Sequence, residues 1–199
     1  MLKKLFQSFR SPLRRAAHKR STPEVLNSNQ HPLRRGEISR YALSVVDRLQ
    51  QAGYQAYLVG GCVRDLLLNL EPKDFDVATS ATPEQVRAEF RNARVIGRRF
   101  KLVHVHFGRE IIEVATFRAN HPQGDEDEDS NLSSRNESGR ILRDNVYGSL
   151  EDDAQRRDFT INALYLDASC ERILDYANGV HDIRNRLIRL IGDPEKRYQ

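Results

Sequence analysis

YQAYLVGGCVRDLLLNLEPKDFDVAT, residues 54–79, joins an apolar run to two glycines and then to two aspartates one residue apart. Gln55 to Val59 reads as a short buried strand, Gly60-Gly61 as a tight turn, and Cys62 to Leu70 as a helix with Val63, Leu66, Leu67 and Leu70 on one face. Strand, glycine turn and helix start together form a seat for phosphate. Residues without Cβ let backbone N–H groups approach an anion, and the unsatisfied N–H groups of a helix start favour negative charge. Arg64, in the first turn, adds a side-chain contact.

A second strand is expected from near Lys73. Side chains two apart share a strand face, so Asp74 and Asp76 project together while Phe75 turns into the core. Two carboxylates held that close repel, and a hard divalent cation relieves the repulsion. Mg²⁺ held by one or two carboxylates and by substrate phosphates fits phosphoryl or nucleotidyl transfer. Either piece alone is an ordinary turn or strand end, but in one stretch they define a candidate metal and nucleotide site.

On the N-terminal side of this stretch, Ile38, Ala42, Val45, Val46, Leu49 and Ala52 recur at helical spacing, which gives a helix over Ser39 to Gln51 that Gly53 stops. On the C-terminal side, Thr82 caps a helix from Pro83 to Phe90, with Pro83 at its first position and Gln85 at the capping-box position. Strands are expected at Ala93–Ile96, Leu102–Phe107 and Ile111–Phe117, the last two joined as a hairpin by Gly108-Arg109. Glu113 is costly to bury in so apolar a strand unless paired or ligated, which makes it the candidate third metal carboxylate. His104 and His106 alternate in the preceding strand, but imidazole is a poor Mg²⁺ ligand, so they read as structural or as polar groups at the sheet edge. Residues 119–142, with the acidic run Asp125 to Asp129, read as a mobile loop.

Further along, Glu151 to Asp158 reads as a helix leading into an apolar segment, Phe159 to Leu166. Adjacent Arg156 and Arg157 suit a triphosphate clamp, and Asp158 either orients them or joins the metal carboxylates. A short strand at Ile173–Tyr176 and a helix from His181 to Leu190, broken by Gly192-Asp193-Pro194, close the chain.

LVGGCVRDLLL, KDFDVAT and RRDFTINAL together resemble the head domain of the class II nucleotidyltransferases, the family of tRNA CCA-adding enzymes and bacterial poly(A) polymerases. The resemblance runs from about Ile38 to Tyr198, and GRRFKLVHVHFG, EIIEVATFR and EDDAQRRDFTINAL place it nearer the bacterial poly(A) polymerase I branch. It implies an α+β fold, the polymerase-beta-like head, with a mixed sheet of about five strands and helices packed on one face. The implied chemistry is template-independent transfer of AMP from ATP to RNA 3′-hydroxyl ends, with CCA addition to tRNA as the alternative. Two Mg²⁺ ions would sit on Asp74, Asp76 and a third acid, Glu113 by the EVATFR motif, while Gly60, Gly61, Arg64 and Arg157 would hold the triphosphate and Asp158 would join the catalytic acids. A family helix, EDPxRxLR, that pairs with the incoming base, followed by neck, body and tail domains, is expected beyond Glu195 to Gln199. A head without them is expected to choose nucleotides and grip RNA weakly, and the reading from another class is a catalytically poor head that acts as an RNA-binding module.

Charge is distributed unevenly. Residues 1–36 carry nine Lys/Arg and one acidic residue, whereas residues 37–199 carry 23 basic and 27 acidic ones. Leu2, Leu5, Phe6, Phe9 and Leu13 recur at helical spacing among basic residues, so 1–36 reads as a flexible arm. It would contact RNA or an anionic membrane surface, or serve as a transit peptide. Ser21 to Arg35, with Pro23 and Pro32, reads as its linker, and 37–199 as the catalytic domain. No apolar run approaches the roughly 20 residues of a membrane span. Cys62 and Cys170, the only cysteines, lack metal-ligand spacing and suit a reducing compartment. The composition therefore points to a cytoplasmic protein, peripheral to the membrane if the arm binds lipid, with ATP and RNA rather than DNA as partners.

Overall fold

The computed structural model describes residues 22–98, 100–119 and 146–192. The amphipathic part of the arm, the acidic run and the last seven residues lie outside them.

One mixed sheet organises the domain. Its strands are β1 (Glu24–Leu26), β2 (Ala56–Val59), β3 (Asp76–Thr79), β4 (Ala93–Ile96), β5 (Leu102–Phe107), β6 (Glu110–Thr116), β7 (Leu164–Asp167) and β8 (Arg172–Asp175). They lie in the order β1-β8-β7-β2-β3-β6-β5-β4. Every pairing is antiparallel except β3 with β6. The sheet thus has eight described strands where about five were expected. The expected C-terminal strand, β8, and the unexpected β1 widen it past β7, and β1 comes from the segment read as linker. Leu26 and Leu33 are buried, Glu24 to Leu26 pair with β8, and the Arg35 N–H donates to Glu171 at 2.8 Å. The sheet domain therefore includes residues before Gly36, and Pro23 and Pro32 flank an edge segment where missing N–H donors cost no ladder bonds.

The helices are α1 (Arg40–Gln51), α2 (Gly61–Leu67), α3 (Pro83–Glu89), α4 (Leu150–Gln155) and α5 (Gly179–Arg184). Local chemistry sets their starts. Ser39 accepts the Tyr41 N–H at α1, and Thr82 with Gln85 forms a reciprocal capping box around Pro83 at α3. Ser149 and Asp152 do the same for α4. The main core packs Val45, Val46 and Leu49 of α1 and Val63 and Leu66 of α2 onto Leu58, Val77, Val105, Ile112 and Val114 of the sheet. A smaller cluster, with Val59, Ala78, Phe117 and Tyr165 under Leu150 and Ala154, seats α4 on the other face. The helices accordingly lie on both faces, not one. Helix α2 ends at Leu67 and leaves Leu68 and Leu70 exposed, because the chain must turn there to enter β3. The apolar segment expected over Phe159 to Leu166 begins with a 3-10 turn, Thr160–Asn162, before strand β7, and α5 stops at Arg184, six residues short of the helix expected to reach Leu190.

Candidate active site

The sheet register builds the site. On one face, Tyr165, Val59, Asp76, Glu113, His104 and Arg94 occupy successive positions across β7, β2, β3, β6, β5 and β4. Strand β3 begins at Asp76, later than expected, so Asp74 lies just outside it and is exposed, while Phe75 between them is buried in the core. Parallel pairing sets Glu113 directly beside Asp76. Burial first, then the neighbouring Glu113 carboxylate, push the Asp76 carboxyl up to about 6; Arg157 opposes them and Asp74 adds to the rise. Asp74, Asp76 and Glu113 thus share one electrostatic environment. His104, read from sequence as structural or at the sheet edge, lies inside the row and directs its Nε2 at Glu113 Oε2, 3.2 Å away.

The glycine turn borders these acids. Gly60 has φ 81° and ψ −137°, a region open to glycine alone, and it opens α2 without a side-chain cap. A Cβ built on it would stand 3.8 Å from Arg157 Nη1 and 3.9 Å from Asp76 Oδ2. The turn, the second aspartate and the arginine therefore meet at one point. Arg64, on α2, donates to Asp65 at 2.8 Å and to Asn162 at 2.9 Å, which ties the glycine helix to the turn after RRDF.

Arg157 is held from below by Asp153. Its Nη2 donates to Asp153 Oδ2 at 2.9 Å and its Nε to the Tyr165 hydroxyl, also at 2.9 Å, while Arg156 grips Asp153 Oδ1 through Nε and Nη2. The Tyr165 hydroxyl donates to Asp153 as well, at 2.7 Å. Asp153 is only 1% exposed. Its burial alone would raise its pKa, but Arg157, then Arg156, and the Tyr165 hydrogen bond outweigh that and hold the carboxyl below its usual range. Asp153, not Asp158, orients the arginines. Asp158 is exposed, and its main-chain carbonyl accepts the Ile191 N–H. The sequence signal for Asp153 was its spacing, three and four residues before Arg156 and Arg157, which puts the three on one helix face.

The donor set suits a hard cation. Carboxylate oxygens predominate, burial and then an acidic neighbour raise the Asp76 carboxyl, and Mg²⁺ needs only one or two protein carboxylates beside phosphate and water. Among the described residues no three His, Cys, Asp or Glu side chains converge into a ready-made ion site. Cys62 is buried and Cys170 exposed, both free, and no described helix is long and apolar enough to cross a membrane.

Paired carboxylates on adjoining strands, facing a glycine turn and a half-buried arginine in a mixed α+β sheet, define a nucleotidyltransferase head domain. Residues 56–189 match the poly A polymerase head domain, and the chain belongs to that family. It is 57% identical over 175 residues to "Poly(A) polymerase I" of Salmonella typhimurium, covering 88% of this chain and 37% of that protein. It is 41% identical to a "CCA-adding enzyme" of Lactobacillus helveticus, over 79% of this chain and 36% of the relative. The Bacillus stearothermophilus CCA-adding enzyme, solved in complex with CTP, superposes with a TM-score of 0.62 at 38% identity, covering 79% of this chain and 34% of that one. The chain thus spans under two fifths of the length of each of these three proteins.

Proposed function

We propose that this head domain transfers AMP from ATP to the 3′-hydroxyl of RNA. The observation that carries the reading is the meeting of Gly60, Asp76 and Arg157 beside Glu113. It sets an anion-accepting turn and a fixed guanidinium next to acids whose mutual repulsion a cation would relieve. Greater identity to poly(A) polymerase I than to CCA-adding enzymes supports ATP over mixed CTP and ATP use.

In this reading Gly60, Gly61, Arg64 and Arg157 bind the triphosphate, and Asp74, Asp76 and Glu113 hold Mg²⁺. Asp158, exposed just after Arg157, would join the catalytic acids. The RNA 3′-hydroxyl gives up its proton to solvent, its oxygen attacks the α-phosphorus, a new P–O bond forms, the bond to the β-phosphate bridging oxygen breaks, and pyrophosphate departs with the electron pair. Bound Mg²⁺ would lower the hydroxyl's pKa and offset charge on the leaving group. The residues' own part is placement: Asp153 and Tyr165 fix Arg157 so that it meets the phosphates without reorganising. Such a reaction belongs in the cytoplasm, with ATP and RNA ends, and the basic arm would add RNA affinity.

The test incubates the chain with Mg²⁺, an RNA with a free 3′-hydroxyl and each nucleoside triphosphate separately, beside Asp74→Ala and Asp76→Ala. An ATP-dependent ladder lost in both variants is expected. Growth that uses CTP and stops after a few nucleotides would indicate CCA addition, and RNA binding without extension would indicate a binding module.

A further inference from the structure

The half of the site face beyond Glu113 lies outside the nucleotide seat proposed above, and its character is distinctive. Residues 91–109 contain six Lys/Arg and no acid, within a domain whose residues 37–199 balance to −4. Arg91, Arg94, Arg98 and Arg109 are exposed. None of their side chains has an ion-pair or hydrogen-bond partner among the described residues, whereas Arg35, Arg64 and Arg189 are each engaged by a carboxylate. Arg94 stands in the register row with His104, on edge strand β4, and His106 and Ile111 are paired two residues further along β5 and β6, on the same face. Ile111 is 44% exposed although it is a large apolar side chain. On the opposite face of these strands Val103, Val105, Ile112 and Val114 are buried.

Chemistry fixes what this face must meet. In-line displacement sets the attacking oxygen opposite the leaving pyrophosphate. With the triphosphate on the Gly60 and Arg157 side of Asp76, the attacking strand arrives from the Glu113 side, across β6, β5 and β4.

We propose that the open face of β6, β5 and β4 is the path of the single-stranded RNA 3′ end, its phosphates met by Arg94, Arg98 and Arg109 and its terminal bases resting on Ile111 and His106. This rests on the transfer reading above. Unpaired arginines around a partly apolar strip supply what single-strand binding uses: charge along the backbone and surface under the bases.

The test uses the full chain with Arg94→Glu/Arg98→Glu, and Arg87→Glu on α3 as an exposed control. A 5′-labelled oligoadenylate is titrated by fluorescence anisotropy across a salt series, and the KM values for RNA and for ATP are measured separately. The double variant is expected to bind RNA about tenfold more weakly, with a salt slope shallower by about 1.4 for two lost phosphate contacts. Its ATP KM should be unchanged, and Arg87→Glu should match wild type. An RNA carrying 4-thiouridine at its 3′ end should cross-link within residues 94–111. RNA affinity in the double variant equal to that of Arg87→Glu, or cross-links confined to residues 1–36, would overturn the path while leaving the transfer reading intact. Absence of ATP-dependent extension in the wild-type chain, with cross-links still on β4 to β6, would instead defeat the transfer reading alone.

Discussion

Asp76 and Asp153 both face Arg157, and the more deeply buried of the two is the stronger acid. Asp153 is 1% exposed yet titrates below its usual range, because two guanidinia and a tyrosine hydroxyl surround it. Asp76 is less buried but pushed up to about 6, first by its burial and then by its strand neighbour Glu113, with only Arg157 opposing them. Partners, not burial alone, decide the sign. The Asp153 cluster is electrostatically complete within the chain and acts as scaffold. The Asp76 side has a charge imbalance that the described residues offset only in part, through Arg157, and in the proposed function that imbalance is where cation and nucleotide would enter.

The contrast would break most visibly in catalysis. Asp76→Ala should lower ATP-dependent RNA extension by about a thousandfold or more, the scale of losing a preorganised electrostatic contact. RNA affinity should stay near wild type in anisotropy titrations. Comparable extension by the variant would mean that the charge imbalance has no chemical use.

Asp153→Asn should show the opposite phenotype, a loss of stability. It leaves Arg156 and Arg157 without their buried counter-charge, and denaturant unfolding should report a loss of about 3–5 kcal/mol. The pH dependence sharpens the point. The folded Asp153 carboxyl lies below its unfolded value, so its stabilisation is present above about pH 4 and fades as pH falls through the folded value. Wild-type stability should therefore drop on that acid limb, and the variant's should drop less.

Gly179→Ala tests a second completed region. Its Cβ would stand 2.2 Å from the Thr160 carbonyl oxygen, beside buried Asp182, which accepts from Thr160 and pairs with Arg189. A loss of about 1–3 kcal/mol is expected in the same unfolding assay. The smallest effect is thermal: millimolar Mg²⁺ with ATP should raise the wild-type melting temperature by about 2–4 °C and leave Asp76→Ala unmoved.

Much of this was legible because it is local. The glycine turn after an apolar run, the cap at Thr82, and an acid within the apolar strand around Glu113 are each set by residues a few positions apart. What was hidden depends on distant partners. Strand β1 is three residues long and exists because β8 lies beside it, so its polar, proline-flanked sequence resembled a linker. His104 became part of the site only through the register that sets it opposite Glu113. Tyr165 looked like one more apolar strand residue until α4 brought Asp153 over it. Asp158, adjacent to the arginines in sequence, was the natural choice to orient them, but helical geometry gave that place to the residue three and four positions before them.

The most direct test is to titrate Mn²⁺, as a spectroscopic substitute for Mg²⁺, into the full chain with ATP and follow it by electron paramagnetic resonance in wild type, Asp76→Ala and Asp153→Asn. If the charge at Asp76 is the metal and nucleotide site, Asp76→Ala should weaken Mn²⁺ binding about tenfold or more, while folded Asp153→Asn, which keeps all three acids and loses only the support of Arg157, should weaken it less. Equal Mn²⁺ affinity in wild type and Asp76→Ala would contradict the account.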